Sequence, residues 1–358
     1  MQKTISLPAS ATSAATSAAV RRSLPWGTLL RWLLLALGPL AIFALFLLTV
    51  GADPWKTYKA MYFSALGDSF GLAEVLIRAA PFILGGLATA LPARTRLVNV
   101  GAEGQIALGA LATTFAAMAI GDRFPAWVTL PALLVAGAAG GALWAGVAGL
   151  LRTRLAVNET ISTLLLNYVG ALVLIFCVHT VLKDPESFNW PFSPPFAEQA
   201  RWVTIGGTRL HWGVIVAPIA AALVWYFLTR THWGLHLRVV GGNPEAARRA
   251  GFNVERIQLL VFVAAGALAG MAGMLEVAGI EGRLRPTTGV GFGYVGFLAA
   301  WMVAQHPLGL IASSLLLAVL AVSGDALQIT ARLPASSVNI LMAFVLIGIL
   351  ARVGKKTA

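Results

Sequence analysis

Charge is what this sequence has least of. Asp, Glu, Lys and Arg together make up 11% of its 358 residues, where a soluble domain carries about a quarter. A chain so poor in charge cannot cover its own surface in water. It also has a single cysteine, Cys177, lying inside an apolar run. That excludes an internal disulfide and any cysteine-built metal site. No Gly-x-x-x-x-Gly-Lys-Ser/Thr phosphate loop occurs, so ATP is not held by that device. The five histidines are scattered. His232 and His236 have the i, i+4 spacing of a metal pair but no third ligand, and no metal or cofactor is expected. No nucleophile and base stand together, which sets a membrane enzyme aside.

What is abundant is apolar: 58% of the residues are hydrophobic. They fall into runs of about 18 residues, the length that crosses a bilayer as a helix. The runs do not alternate as barrel strands of about ten residues would. Helices that satisfy their own backbone hydrogen bonds are therefore expected. The fold class is all-α, a polytopic membrane helical bundle of about ten transmembrane helices. The expected spans are residues 33–50, 72–91, 98–119, 127–150, 161–182, 212–228, 257–278, 289–303, 308–327 and 338–351.

The net charge of +12 does not point to nucleic acid, because the charges sit in loops between apolar runs. Instead it orients the chain. If every run crosses, the cytoplasmic side holds Lys3, Arg21, Arg22, Arg31, Arg94, Arg96, Arg152, Arg154, Arg230, Arg238, Arg248, Arg249, Arg256 and the Arg352, Lys355, Lys356 tail. Basic residues near the outer ends are fewer and are offset by Asp and Glu, so the excess of Lys and Arg falls on the cytoplasmic side, in line with the positive-inside rule. Residues 289–303 are short and glycine-rich enough to be re-entrant. That alternative would put the basic tail outside, so a crossing and two cytoplasmic termini are preferred. Residues 1–28, rich in Ser, Ala and Thr, read as a disordered cytoplasmic segment. Residues 29–352 read as the transmembrane domain and 353–358 as a basic tail. The pair Arg21 and Arg22 is not read as a targeting signal, since no small-residue cleavage site follows.

Two loops are long. The outer one, 183–211, carries Phe188, Trp190, Pro191, Phe192, Pro194, Pro195 and Phe196, a cluster that no regular helix accommodates. It reads as a cap or as a docking surface for an external partner. The inner one, 230–256, encodes a short helix. Asn243 is a good N-cap, Pro244 suits the first helical position, Glu245 complements the helix dipole and Gly251 suits the C-terminal end. Ala246, Ala247, Arg248 and Arg249 fill it. So short a helix needs packing to exist, from its own membrane helices or from a cytoplasmic partner, unless it lies at the membrane surface and binds anionic lipid heads.

Polar residues within spans are costly and so mark function or interhelical hydrogen bonds. Glu103, Thr163, Asn167, Glu276, Gln305, Asp325 and Gln328 are these residues, and Asn99 and Gln105 lie beside Glu103. Gly291, Gly293 and Gly296 match a dinucleotide fingerprint, but no strand precedes them. They read as close helix packing, as do Gly266, Gly270 and Gly273.

Several blocks then resemble a known family. Asn99-Val100-Gly101-Ala102-Glu103-Gly104-Gln105 is similar to a signature of permease subunits of ABC-type importers, in the branch serving branched-chain amino acids, ribose-type sugars and nucleosides. Asn158-Glu159-Thr160-Ile161-Ser162-Thr163-Leu164 with Asn167-Tyr168 resembles its next block. Gly234, Leu235, Arg238, Gly241 and 243–251 resemble its coupling helix. Gly266 to Gly273 followed by Glu276-Val277 resembles the block after that. The glutamate-containing first block looks most like nucleoside importer permeases that work with a basic-membrane-lipoprotein type binding protein.

The resemblance implies a solute pathway through the bacterial cytoplasmic (inner) membrane, with Asn99, Glu103, Gln105, Thr163, Asn167, Glu276 and Gln305 as pathway candidates. It implies coupling to a separate ABC ATPase through Asn243, Pro244, Glu245, Ala246, Ala247, Arg248, Arg249 and Gly251. A second permease chain, identical or related, and an extracytoplasmic solute-binding protein would complete the importer. The solute would be small and neutral. A ribose-type sugar importer of the same architecture is the first alternative. A secondary transporter driven by an ion gradient is the second, kept open by Glu103, Glu276 and Asp325. Trp301 departs from the family, which has a polar or small run there.

Overall fold

The structure, a computed structural model, describes residues 25–330, 332–334 and 337–353. Most of the expected N-terminal segment and basic tail lies outside the described residues, as does the side chain of Asp325. The described residues are mainly helical, and the only strand-like pairing among them is one antiparallel bridge between Thr204 and His211. The α-helices are α1 Pro25–Thr49, α2 Pro54–Leu66, α3 Ser69–Ala93, α4 Ala102–Ile120, α5 Ala126–Leu155, α6 Glu159–His179 and α7 Val216–Arg230. They continue with α8 His232–Gly242, α9 Pro244–Arg249, α10 Val254–Glu276, α11 Phe292–Met302, α12 Gly309–Thr330 and α13 Ser337–Val353.

Six helical segments among the described residues are long and apolar enough to cross a membrane: Ser69–Ala93, Ala102–Ile120, Ala126–Leu155, Glu159–His179, Trp212–Arg230 and Val254–Glu281. Each overlaps an expected span. The ends differ for local reasons. The third span starts only at Ala102, because Asn99 folds its amide back onto the Gly101 N–H and keeps residues 97–100 out of the helix. α5 runs on to Leu155, with Arg152 and Arg154 favourably placed in its last turn, and stops where Ala156 turns left-handed.

Two features depart from a plain row of helices. α1 and α2 meet at 119°. α2 was not expected, because at thirteen residues it falls below the length by which spans are recognised. Its start is nonetheless encoded: Asp53 accepts hydrogen bonds from the Trp55 and Lys56 amides and Pro54 opens the first turn. The eighth expected span is also irregular. α11 has only eleven residues, about 16 Å of helix, roughly half the hydrocarbon thickness. The ten residues ahead of it, 282–291, are not helical.

The core is a four-helix cluster around α10. α10 packs along α3, α4 and α5, and α4 along α5. Its seam is made of glycines. A Cβ on Gly270 would collide with the Gly137 carbonyl, one on Gly141 with the Gly266 carbonyl, and one on Gly273 with the Ile106 carbonyl. Close backbone approach of this kind substitutes for the hydrophobic drive that lipid does not supply. The expected packing face Gly266, Gly270, Gly273 is thus realised, and it places α4 firmly enough to carry a polar site.

Candidate functional site

Five of the seven pathway candidates come together around the turn between α3 and α4. Asn99 and Gln105 exchange a reciprocal pair of amide hydrogen bonds, 3.2 and 3.1 Å long. Asn99 also donates to the Ala88 carbonyl, 3.0 Å away, and accepts from the Gly101 N–H. Asn167 on α6 accepts from the Gly104 N–H at 2.9 Å and donates to the Val100 carbonyl at 2.8 Å. The Thr163 hydroxyl accepts from the Val100 N–H at 3.2 Å. All four side chains are buried. Their groups answer the backbone of a turn that has no helical partners for its own N–H and C=O, which a membrane interior demands.

Glu103 has a different task. Its carboxylate accepts from the backbone N–H groups of Gly291 and Gly293, the latter at 2.8 Å. It therefore caps α11, whose free N–H groups and dipole favour an anion. The approach requires glycine. Gly291 has a φ of +89°, and a Cβ on Gly293 would collide with the Glu103 backbone. The apparent dinucleotide fingerprint is thus a docking surface for α4 and α3, where Gly296 meets Gly85 and Gly86.

Glu276 and Gln305 lie elsewhere. Glu276 ends α10, is buried, and leaves one carboxylate oxygen without a hydrogen-bond partner. Its charged neighbours are Glu281, Arg78, Arg209 and Glu74, and Arg209 pairs with Glu74 at 3.2 Å. Gln305 follows α11, where its carbonyl accepts a 3.0 Å hydrogen bond from Arg94.

Beside the hydrogen-bonded cluster at the α3–α4 turn, α11 and α6 present aromatic rings outward. Tyr294 receives a hydrogen bond from Asn167 at 3.4 Å, and Phe297 lies 6.0 Å from Trp301, centroid to centroid. Tyr294, Phe297 and Trp301 follow helical spacing on α11, and Tyr168 is exposed on α6. Of these, the sequence marks Trp301, as a departure from the family, and Tyr168, as part of the Asn167-Tyr168 block. Tyr294 could have been found from its place one residue after the glycine that docks on Glu103.

The outer loop is sewn to the chain that leads into α11. Ser193 N–H donates to the Leu284 carbonyl, Phe196 N–H to Gly282 and Trp202 N–H to Ala278. His211 is buried against Gly279, and burial pushes its imidazole down to about 4. Arg283 and Arg285 both stand over the Phe192 ring, at 5.7 and 5.4 Å. Phe188 and Trp190 remain exposed.

The family described as branched-chain amino acid transport system / permease component matches residues 71–350. The chain belongs to this permease family. It is 34% identical over 339 residues to a glucose ABC transporter permease protein of Haloferax volcanii, covering 91% of this chain and 88% of that one. It is 31% identical to a guanosine ABC transporter permease protein of Bacillus subtilis, covering 86% and 89%. A nucleoside ABC transporter permease protein of Lactococcus lactis is 28% identical, covering 77% and 78%.

The permease is thus a multi-pass membrane protein and a transporter subunit rather than an enzyme. ABC permeases work with an ATPase and a binding protein, so its motor chemistry lies in another chain. Its short inner helix, α9, is built as its sequence indicates. The Asn243 side chain accepts from the Glu245 and Ala246 amides at 3.0 and 3.1 Å. Ala247 is buried among Leu228, Leu237, Val240, Val254, Ile257 and Val261. Packing against its own helices therefore holds α9, and Ala247 is not on its outer face. Glu245, Ala246, Arg248 and Arg249 are exposed. Arg248 pairs with Glu255 at 2.6 Å.

Proposed function

We propose that this permease, paired with a second permease chain, forms the path by which a nucleoside crosses the bacterial inner membrane. In this reading the chain crosses ten times, as the charge distribution suggests, with both termini inside. Residues 282–291 and α11 together make one crossing. The observation that carries the substrate class is the aromatic group of exposed Tyr168, Tyr294 and Trp301, with half-buried Phe297 beside Trp301. Bases stack on such faces, each for about 1–3 kcal/mol. The Tyr294 hydroxyl, held by the buried Asn167 amide, stands ready for ribose hydroxyls. Asn99, Gln105, Thr163 and Glu103 act from behind, holding the turn and α11 in place. Glu276 and Gln305 flank the path at its two ends.

Transport follows an alternating-access cycle. ATP binding closes the ATPase pair, which moves the exposed face of α9, residues 243–251. Because Ala247 is embedded between α7, α8 and α10, α9 cannot move alone. Displacement passes to α10 and through the glycine seam to α3, α4 and α5, and so to α11. The solute arrives from a binding protein docked on the outer loop.

The glucose permease of Haloferax volcanii supports a second reading, a sugar pathway, since aromatic faces also hold sugar rings. Uptake of labelled guanosine in cells with and without the gene, challenged by unlabelled uridine, ribose and glucose, separates the two. Gene-dependent uptake competed by uridine alone supports the nucleoside reading. Gene-dependent uptake of sugar without guanosine uptake would replace it.

A further inference from the structure

Two adjoining cavities lie at the cytoplasmic ends of α3, α7 and α8, beside Gln305 and away from the aromatic group of α11. The larger is a groove of about 650 Å³ between α7, α8 and α10, within the range of about 300–1,000 Å³ usual for ligand sites. Its walls, which include Leu223, Phe227, Leu260 and Ala264, are apolar, and these four residues are exposed toward the bilayer. The smaller, about 130 Å³, is lined by Arg94 and Arg238 with Thr229 and His306. Leu228, Gly234 and Leu237 line both, so the cationic pocket opens onto the apolar groove.

The two guanidiniums lack a counter-charge here. No Asp or Glu lines either cavity among the described residues. Arg94 donates to the Gln305 carbonyl, but its Nε is buried without a partner. Arg238 donates to the Leu228 carbonyl at 2.9 Å. Each guanidinium has five donors, so most remain for a ligand. Burial, and then repulsion from Arg238, hold Arg94 below the ordinary arginine range. By contrast, Arg248 and Arg249 nearby are paired with Glu245 and Glu255. An anion is what the pocket lacks, and an apolar chain is what the groove beside it fits. Basic pockets between membrane helices on the cytoplasmic side suit anionic headgroups, and Trp225 and Trp233 flank the site as interfacial tryptophans do.

We propose that the paired cavities bind one anionic phospholipid, its phosphate between Arg94 and Arg238 and an acyl chain in the groove. The lipid would lie against α8, where a Cβ on Gly241 would collide with the Arg94 carbonyl. It would thus brace the base of the coupling loop against α3.

The test is native mass spectrometry of the full chain extracted from bilayers of equal phosphatidylglycerol and phosphatidylcholine. One tightly retained phosphatidylglycerol per chain is expected. Arg94→Gln and Arg238→Gln should each weaken retention about fivefold, and together about thirtyfold. Replacing both by lysine should preserve most of it. Ala264→Trp fills the groove from its exposed side. It should lose the lipid with both arginines intact, and it decides the question if the arginine variants do not fold. Equal retention of phosphatidylcholine, or unchanged retention in Ala264→Trp, would overturn the proposal. So would inorganic phosphate raising the melting temperature as much as the lipid does, which would make the pocket a free-anion site. Loss of ATPase binding in the arginine variants with lipid retention unchanged would overturn it in favour of a protein contact.

Discussion

A carboxylate inside a membrane protein is costly unless its charge is held. Glu103 meets that condition by capping α11 through the Gly291 and Gly293 amides. Removing the cap leaves those N–H groups unanswered, at a cost of about 2 kcal/mol. Glu103→Ala should therefore lower both the melting temperature of the purified permease and uptake per molecule. Glu103→Gln, which still accepts hydrogen bonds, should fall between. Trp301 is the opposite kind of residue, at 36% exposure at the surface of α11 beside Phe297, with no polar group among the described residues depending on its side chain for a hydrogen bond. Trp301→Ala should leave the melting temperature nearly unchanged and weaken apparent nucleoside affinity about tenfold if a base stacks there. His211 sets a pH limit. Its imidazole titrates near 4 when buried and about 6.5 when free. The neutral form favours the docked loop, so the contribution is whole above about pH 6.5 and is lost as pH falls toward 4. The total is on the order of 3 kcal/mol. Hydrogen exchange of residues 193–203 should quicken over that window, and His211→Phe should remove the dependence.

At the scale of elements, α9 was legible and α2 was not. Asn243, Pro244, Glu245 and Gly251 each carry a local signal for a helix end, and the helix lies where they put it. Asp53 and Pro54 carry the same signal for α2, but thirteen residues do not register in a search for spans. The polar candidates were legible as chemistry and not as roles. Asn167 and Gly104 are 63 residues apart, and nothing local to either says that one answers the backbone of the other. The same holds for Ala247, whose small size suits an external groove as well as an internal one. Its burial separates the two. Ala247→Leu should unseat α9 from Leu228, Leu237 and Ile257, lowering permease stability by about 1–3 kcal/mol. Arg249→Glu, on the exposed face, loses only a surface pair with Glu245 and should cost stability about 0.5–1 kcal/mol. It should also reduce ATPase binding in a pull-down with the partner subunits, if the 243–251 face is the contact.

For the whole molecule the open quantity is the path of the chain between α10 and α12. Length alone allows α11 to dip in and return, since about 16 Å does not reach across the bilayer. Its surroundings favour a crossing. The segment ahead of α11 is tied at Gly282 and Leu284 to the outer loop, whereas the turn after it is tied through Gln305 to Arg94 at the end of α3. The first tether lies by the N-terminal, Glu74-bearing end of α3 and the second by its C-terminal end. α3 is 25 residues long, about 37 Å, enough to span. If α3 crosses, the two ends of the 282–305 stretch must open on opposite sides. The single native cysteine makes this measurable. In a Cys177→Ser background, Thr287→Cys should react with a membrane-impermeant maleimide from the outer side, and His306→Cys only after permeabilisation. Ser187→Cys and Ala250→Cys mark the two sides. Labelling of both 287 and 306 from the outside would make α11 re-entrant and move the C-terminus outward, and the count of crossings would drop to nine.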